Sequence, residues 1–306
     1  MQTKFRNLIE FMQVFHNDYV CREYFEKQRW NGKPVCPHCG NDERTTKLKK
    51  EGQYKCNNKA CYKRFTVTVG TVFQSGKAPL VKWFAAMYLV SAHKKGISSL
   101  QLGRDIGVTQ KTSWFMLHRI REMLTEKNPT ALNGTVESDE SFFGGKEKNK
   151  HSNKKTEGTQ GGSGKAIVLG LLERGGNIKT TQIENRESTT LLPLIKEQVT
   201  AGATIATDEL RAYSKLSEDF THIKVNHSAN EYVSGMAHVN GVEGFWSLMK
   251  RGINGIQHSV SVKHLHRYCD EYAYRYNSRK IADTERFVNA MAHTTGRLTY
   301  KQLIQK

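Results

Sequence analysis

The sequence predicts a multidomain protein in which a small cysteine-rich ribbon and a helical segment precede an α/β domain. Three observations support this division. Four cysteines lie close together near the N-terminus, glycine-separated amphipathic helices follow them, and the remainder alternates strand-like and helical stretches. A chain of 306 residues is long enough for one large domain or a few small ones.

The composition is strongly basic. The chain carries 47 lysines and arginines against 29 acidic residues, a formal net charge of +18 at pH 7. This excess favours a polyanionic partner, and we expect nucleic acid, although a ribosomal or membrane-surface protein could share the charge. No apolar run approaches the roughly 20 residues that cross a bilayer, and no signal-peptide core follows the N-terminus. We therefore expect a cytoplasmic protein that does not enter a membrane.

Residues 1–30 have apolar positions at helical spacing and predict an N-terminal helical segment. A zinc ribbon is predicted over residues 31–70, where a C-x2-C pair and a C-x4-C pair are formed by Cys36, Cys39, Cys56 and Cys61. Four thiolates at this spacing close a tetrahedral site with no open position, so the Zn²⁺ would be structural. His38 is an alternative ligand, but four cysteines suffice. Strand-like stretches at 45–54 and 64–69 complete the ribbon.

Residues 71–127 predict an all-α helix-turn-helix domain. A helix at 80–93 is followed by a second helix that Ser98 caps and Gly107 ends, and Thr109 caps a third. Helices joined across Gly-Val-Thr are typical of this motif, although any tight helical hairpin has a similar pattern. In DNA the start of the third helix would read bases and its arginines would contact phosphates. The predicted DNA contacts are Gln110, Lys111, Ser113, Arg119 and Arg121.

Residues 128–306 predict an α/β domain that begins after two turn signals, Asn-Pro and Asn-Gly. Its elements are a strand at 135–143, a hairpin of 166–172 and 178–183, a helix at 188–199 and a strand at 203–208. The intervening residues 146–165 are mainly Lys, Asn, Ser, Thr and Gly, which predicts a mobile basic loop. Strand, hairpin, helix, strand and a final helix is the order of an RNase H-like α/β layer.

The stretch 239–252 predicts the final helix of this order. At about 100° per residue its apolar side chains share one face. Its polar residues share a second face and are Asn240, Glu243, Ser247 and Lys250. The exposed face of an ordinary amphipathic helix has a similar pattern. However, Asp139 and Asp208 lie in separate predicted strands, and three carboxylates from separate elements of a basic protein indicate a magnesium site acting on phosphodiesters.

Several motifs together resemble a family of bacterial insertion-sequence transposases, the zinc-ribbon DDE transposases related to the Merlin elements. The motifs are Ser138-Asp139-Glu140 before a Gly-Gly-Lys run, Thr207-Asp208-Glu209 before Ala212-Tyr213, His227-Ser228 before Tyr232, His238 through Glu243, and Phe245-Trp246-Ser247 through Gly252. The resemblance covers essentially the whole chain, including the ribbon and the closing Leu298-Thr299-Tyr300-Lys301. It implies a nucleoid-associated bacterial DNA transposase with an RNase H-like catalytic domain.

The resemblance implies that Asp139 and Asp208 are catalytic acids that bind Mg²⁺ or Mn²⁺. The third position is Asn240 or Glu243, and we favour Glu243 because a carboxylate binds a hard cation better than an amide does. Asp139 would bridge two ions, and Asp208 and Glu243 would each hold one. Two further residues, Lys250 and Arg251, would neutralise nearby phosphates.

The implied reaction has two steps. Water cuts at the transposon end, and the freed 3′-hydroxyl then attacks target DNA without a covalent enzyme intermediate. The implied partners are double-stranded DNA, as terminal inverted repeats and as target, and further copies of the chain in a dimer or larger assembly.

Two alternatives to a transposase remain at this stage. A non-enzymatic DNA-binding regulator with an inactive RNase H-like domain would share the ribbon and the helices, and a stand-alone nuclease would share the fold. A local alternative concerns the basic, aromatic stretch 264–276, which either packs against the sheet or contacts a DNA backbone.

Overall fold

The computed structural model describes residues 4–126, 129–145, 164–225 and 238–305. These residues form two compact units, of which the first contains the described residues up to Leu124 together with those from Ile281 onward, and the second contains Thr125–Lys280. Most of the predicted basic loop, residues 146–163, lies outside the described residues, as do His227, Ser228 and Tyr232.

The secondary structure of the described residues contains the predicted elements in the predicted order, with one further strand, Thr221–Lys224, before the helix that begins at Asn240. The helices are α1 (Leu8–Val14), α2 (Asp18–Trp30), α3 (Leu80–Ala92), α4 (Ser99–Ile106), α5 (Gln110–Leu124), α6 (Ser188–Gln198), α7 (Asn240–Gly252), α8 (Leu265–Asn277), α9 (Asp283–Ala292) and α10 (Tyr300–Ile304). The strands are β1 (Thr45–Lys47), β2 (Tyr54–Cys56), β3 (Arg64–Phe65), β4 (Thr135–Phe143), β5 (Ala166–Glu173), β6 (Ile178–Ile183), β7 (Thr204–Thr207) and β8 (Thr221–Lys224).

The first unit is built around an aromatic core. Phe11 stacks on Tyr88 of α3, with ring centroids 4.6 Å apart, and Phe287 of α9 lies edge-on to Phe11 and Phe84. Phe287 is fully buried in this core. The sequence analysis assigned residues 281–306 to the α/β domain, whereas their buried aromatic side chain joins them to the first unit. A 3.6-residue apolar pattern shows that a helix is amphipathic but does not show which partner covers it.

Helices α4 and α5 form the predicted helix, turn and helix. Ser98 accepts a hydrogen bond from the backbone N–H of Gln101 and so caps α4, and Gly107 ends it in the left-handed region at φ 63°. Thr109 accepts from the N–H of Thr112 at the start of α5. The two helices approach closely at Gly103, where an added Cβ would lie 2.9 Å from the carbonyl oxygen of Val108.

Arg119 of α5 is a structural residue. Its side chain is buried, and its guanidinium donates hydrogen bonds to the carbonyl oxygens of Leu298 at 2.8 Å, Val72 at 2.8 Å and Gln74 at 2.7 Å. The prediction that Arg119 contacts DNA phosphates is therefore wrong. The guanidinium thus joins three loop carbonyl groups through charge-assisted hydrogen bonds. These bonds hold the segment before α3 to the segment after α9.

We expect Arg119→Ala to destabilise the first unit by about 3 kcal/mol or more, because it leaves three carbonyl groups, those of buried Leu298 and Val72 and of partly buried Gln74, without their donor. Arg104→Ala, at an exposed position of α4, is the matched control and should change the free energy of unfolding by less than about 0.5 kcal/mol. Urea unfolding of the two variants measures the difference. Equal stabilities would contradict a structural role for Arg119.

The second unit contains a mixed sheet whose described strands have the order β6-β5-β4-β7-β8. Strands β4, β5 and β6 pair antiparallel, and β7 and β8 run parallel to β4. The sequence analysis did not predict β8. This strand has four residues at the sheet edge, with a half-exposed Thr-His-Ile-Lys sequence, so it lacks the apolar run of a buried parallel strand.

Helices cover both faces of this sheet. Apolar residues of β4 and β5 pack with α6 on one face, where Leu191 and Ile195 are fully buried. On the other face α7 and α8 contribute Val242, Trp246 and Tyr272 to a second core. Arg275 of α8 is buried as well and pairs with Glu271, which favours packing over a DNA contact for this stretch. No helix in the described ranges is both long and apolar enough to cross a membrane.

Candidate catalytic and DNA-binding sites

Strands β4 and β7 bring Asp139 and Asp208 side by side. In their parallel register Glu137 lies opposite Ala206, the last pair of the ladder, and the same register continued two residues further matches position 139 with position 208. Asp208 follows directly after the last residue of β7, and its Oδ1 accepts the backbone N–H of Leu210 at 3.0 Å. The arrangement follows from parallel pairing, because the carboxyl ends of neighbouring parallel strands lie at the same edge of a sheet.

The electrostatic environment of Asp139 is unfavourable for a negative charge. Burial, followed by the nearby carboxylate of Asp208 and then that of Glu243, raises the pKa of Asp139 to about 6. The backbone N–H of Glu140 and the indole of Trp246 act in the opposite direction. A carboxylate held among other carboxylates and partly removed from water is the arrangement that a divalent cation stabilises.

Helix α7 presents the remaining predicted residues. Its buried face packs on the sheet, while Asn240, Glu243, Lys250 and Arg251 are exposed. The charge of Glu243 acts on Asp139. Near the other end of α7 the Lys250 ammonium lies 6.0 Å from the ring centroid of Phe143, the last residue of β4. The helix therefore follows β4 from one end to the other, with acidic Glu243 nearer its start and basic Lys250 nearer its end.

A glycine allows α7 to approach the sheet closely. Gly170 of β5 pairs with Asp139, and a Cβ at this position would lie 2.5 Å from Trp246 Cζ2 and 3.2 Å from Val242 Cγ2. No side chain fits in that space, so only glycine permits this approach of α7 to the strand that carries Asp139. The sequence analysis treated Gly170 only as part of a strand.

The carboxylate oxygens of the three acids are further apart than the ligands of a single ion. Among the described residues, only the four ribbon cysteines form a group of three or more His, Cys, Asp or Glu with ligand atoms all within 4.8 Å of one another. Asp139, Asp208 and Glu243 are therefore spread more widely than this. In a site with two ions, one carboxylate contacts both ions and each remaining carboxylate contacts one of them. The remaining carboxylates are then further apart than the ligands of a single ion. Carboxylate oxygens are the hard donors that such divalent cations bind.

Glu140 lies on the opposite face of β4, as strand alternation predicts. Its carboxylate accepts a hydrogen bond from the hydroxyl of Tyr213, which also lies 3.0 Å from Ser138 Oγ. Burial is the main cause that raises the pKa of Glu140 to about 7. Tyr213 belongs to the segment that follows Asp208, so its contacts with β4 tie that segment to the strand of Asp139. The sequence analysis did not assign this role to Tyr213.

Glu137 is a buried acid of β4 that the sequence analysis missed. It lies two residues before Asp139 on the same face of β4, and its side chain is 1% exposed. A signal was available, because an acid at the i−2 position of a strand shares the face of the catalytic candidate. Its partners are described below.

We expect Asp139→Asn to stabilise the second unit at neutral pH when divalent cations are absent. A pKa near 6 in the folded chain against an ordinary value of 3.8 means that the folded state holds this proton more tightly. Wild-type stability should thus fall as pH rises from about 4 to 6, a loss of about 1–3 kcal/mol that the asparagine variant avoids. Urea unfolding of the wild type and of Asp139→Asn in EDTA, at pH 4 and at pH 7, measures the two free energies of unfolding. A difference between wild type and variant that is the same at both pH values would contradict the prediction.

The ribbon cysteines converge as predicted. Cys36 Sγ lies 3.8 Å from Cys61 Sγ, and Cys39 Sγ lies 3.6 Å from Cys56 Sγ, distances that suit ligands of one ion and exclude disulfides. Gly40 forms the turn of the first pair at φ 72°. The backbone N–H of Lys63 lowers the pKa of Cys61, while burial raises that of Cys36. A zinc ion would favour the thiolate form of the whole set.

The predicted DNA contacts of α5 divide into two groups. Gln110 and Lys111 are exposed at the start of the helix, where Gln110 Nε2 donates to Ser99 Oγ at 2.9 Å and the Lys111 ammonium lies 5.1 Å from the Tyr300 ring centroid. Ser113 is buried, and its hydroxyl donates to the carbonyl of Ser99. Arg121 is buried too. As for Arg119, the predictions for Ser113 and Arg121 are wrong, because a side chain in a protein interior does not reach a base or a phosphate.

Comparison with known proteins identifies the family. A profile described as an ISXO2-like transposase domain matches residues 131–277, and one described as a transposase zinc-ribbon domain matches residues 16–64. An uncharacterized protein in transposable element ISH50 of Halobacterium salinarum is 30% identical over 241 residues, which are 74% of this chain and 80% of the relative. The chain belongs to the ISXO2-like transposases. The resemblance drawn from the sequence motifs is confirmed.

Other similarities of this transposase are more limited. An uncharacterized transposase-like protein of Haemophilus influenzae is 30% identical over 105 residues, covering 34% of the chain and 84% of the relative. A solved structure, the simian T-cell lymphotropic virus intasome in complex with PP2A regulatory subunit B56 gamma, contains a chain that is 14% identical. That match covers 62% of this transposase and 65% of the other chain at a TM-score of 0.28, too low to support an argument about fold.

Proposed function

We propose that this transposase binds the ends of its element, cleaves them by metal-dependent phosphodiester hydrolysis, and joins the freed 3′-hydroxyl to target DNA. The observation that carries the proposal is the effect of two other acids on Asp139 of β4. The carboxylate of Asp208, which follows the parallel neighbour β7, and that of Glu243, from a helix on the same face, both raise the pKa of Asp139. Three acids from separate elements therefore act on one another beside the central strand.

The second unit is an RNase H-like catalytic domain in this proposal. The strand order β6-β5-β4-β7-β8 supports it, with an antiparallel meander on one side of β4 and parallel strands on the other. In such a sheet the candidate acids lie on the central strand, at the end of its parallel neighbour, and on a helix that crosses the same face. The order of elements and the positions of the acids agree with each other.

Each site residue has a distinct proposed role. Asp139 would hold both of two Mg²⁺ or Mn²⁺ ions, Asp208 would hold one, and Glu243 rather than Asn240 would hold the other. Bound divalent cations would supply Lewis-acid stabilisation of the charge that develops on the phosphodiester oxygens. Lys250 and Arg251, exposed at the end of α7, would hold the DNA backbone by neutralising phosphates.

The first unit would recognise the transposon end. The zinc ribbon and the helix-turn-helix are its DNA-binding elements, with Gln110 and Lys111 at the exposed start of α5 as base-reading candidates. The net charge of +18 supports binding to double-stranded DNA with a strong salt dependence. Cleavage of two ends at once would require two or more copies of the chain.

The test uses a labelled duplex carrying the terminal inverted repeat, incubated with the full-length, zinc-containing chain with or without added Mg²⁺. We expect strand cleavage and strand-transfer products with Mg²⁺ and none without it. Cleavage without transfer products would indicate a stand-alone nuclease. Binding without any metal-dependent cleavage would indicate a non-enzymatic regulator and would overturn the proposal.

A further inference from the structure

The buried carboxylate of Glu137 joins three separate elements of the second unit. Arg174, which follows β5, donates its Nε–H to Glu137 Oε1 at 2.9 Å. The backbone N–H of Val242, in the first turn of α7, donates to Glu137 Oε2 at 3.0 Å. Arg174 also donates from Nη2 to the carbonyl oxygen of His238 at 2.7 Å, and His238 Nδ1 lies 3.2 Å from Glu137 Oε1. Strand β4, the end of β5 and the entry to α7 therefore meet at one charged group.

This contact supplies the cap that α7 lacks within its own sequence. The residue before the helix is Val239, which has no side-chain oxygen to accept a backbone N–H. Glu137 provides that acceptor from the neighbouring strand and adds a negative charge at the positive end of the helix dipole. The helix is therefore capped by the same strand that carries Asp139.

Helix α7 lies close to the Glu137 carboxylate at Gly241, so that an added side chain would have to displace Glu137 or the helix. A Cβ at Gly241 would lie 2.7 Å from Glu137 Oε2 and 2.7 Å from Leu172 Cδ2. Gly244, one turn later in the same helix, has no atom within 4 Å of the corresponding position. The need for a glycine is thus local to the Glu137 contact and is not a general property of this helix.

The energetics favour a positional role over a purely stabilising one. The apolar packing of Val242 and Trp246 against the sheet is non-directional and permits small shifts of the helix along it. A hydrogen bond to one backbone N–H fixes which residue of α7 lies over which residue of β4. A buried ion pair contributes little net stability compared with apolar residues of similar volume, because desolvation offsets much of the attraction.

We propose that Glu137, held by Arg174, is a positioning residue that sets the place of α7 and so of Glu243 relative to Asp139. This inference rests on the proposed divalent-cation site. Glu137 is not one of the proposed metal ligands, and each of its oxygens accepts a hydrogen bond, from Arg174 and from Val242. It acts by holding the helix ligand at the distance that the strand ligands require.

The test measures Mn²⁺ affinity of the full-length chain by the loss of the free-ion electron paramagnetic resonance signal. We expect Glu137→Gln to weaken Mn²⁺ binding about 10–100-fold, as for other residues that orient metal ligands. A glutamine has one acceptor oxygen for two donors, and its NH₂ would face the second donor. Glu173→Gln, which removes an equal charge from the adjacent strand, should leave the affinity unchanged.

A second pair of variants tests position without changing charge. Gly241→Ala should also weaken Mn²⁺ binding, because the methyl group forces α7 away from Glu137, whereas Gly244→Ala should not. If Glu137→Gln fails to fold, the comparison of Gly241→Ala with Gly244→Ala tests the positioning role by itself. Unchanged Mn²⁺ affinity in folded Gly241→Ala or in folded Glu137→Gln, whatever happens to the melting temperature, would overturn the positioning role and leave a structural one.

The failure of this inference can be told apart from the failure of the proposed function. Asp139→Asn is measured in the same assay. If it binds Mn²⁺ as tightly as the wild type, the metal site itself is wrong. If Asp139→Asn loses binding while Glu137→Gln and Gly241→Ala keep it, the catalytic assignment stands and the positioning role of Glu137 does not.

Discussion

Asp139→Asn should reduce the rate of transposon-end cleavage on the order of 10²–10³-fold, while binding of the end stays within about twofold of the wild type. Asp139 is the acid of the central strand β4, and the charges of both Asp208 and Glu243 act on it. An amide removes the charge that would balance the cations in the transition state, and the loss of one such electrostatic group commonly costs 10²–10³ in rate. The proposed DNA-binding elements lie in the other unit, so end binding should persist.

Cleavage and gel-shift assays on the same labelled duplex measure the two effects separately. Glu184→Gln, at an exposed position just after β6, is the control for loss of an acid in the same unit and should cleave normally. Wild-type cleavage by the Asp139→Asn chain would exclude this residue from the catalytic site. Loss of end binding together with cleavage would instead show that the substitution unfolds the chain.

Removal of the ribbon zinc should have the second large effect. Cys56→Ser breaks a set of four sulfur atoms that lie within 4.8 Å of one another. Structural zinc contributes about 10–16 kcal/mol of binding free energy in isolated zinc-binding domains, far more than strands as short as Arg64–Phe65 supply on their own. We expect the ribbon to unfold and transposon-end binding to fall to the level of non-specific DNA.

Zinc content per chain, measured after purification without chelators, checks the first part of this prediction. The wild type should carry one zinc, as should Cys269→Ala, which removes a buried cysteine outside the cluster. Cys56→Ser should lose it, and a strong chelator should have the same effect on the wild type. A wild-type chain that purifies without zinc, or full end binding by Cys56→Ser, would contradict a structural role for the metal.

Local sequence patterns predicted most elements of the second unit. Strand β4 has the predicted bounds, and α7 begins at Asn240, one residue after the predicted start. Strand alternation and helical periodicity are properties of neighbouring residues, so a short window contains the information. Strand β8 was missed for the same reason, since a four-residue polar edge strand has no local pattern of its own.

The errors at α5 have a shared physical cause. Ser113, Arg119 and Arg121 are polar residues in a basic helix, and residue type alone favoured DNA contacts. Their burial depends on segments that are distant in sequence. Arg119, for example, binds the carbonyl of Leu298, 179 residues away. A charged side chain is recognised as structural only when the groups that satisfy it are known.

Residue type and short-range spacing predicted the ribbon ligands and most of the strands and helices. The resemblance of several motifs implied the family and the candidate acids. The folded structure was needed to show that Asp208 lies near Asp139, that Glu137 caps α7 from another strand, and that the last helices join the first unit. Strand register, buried ion pairs and close glycine contacts arise between segments far apart in the chain, and no local pattern encodes them.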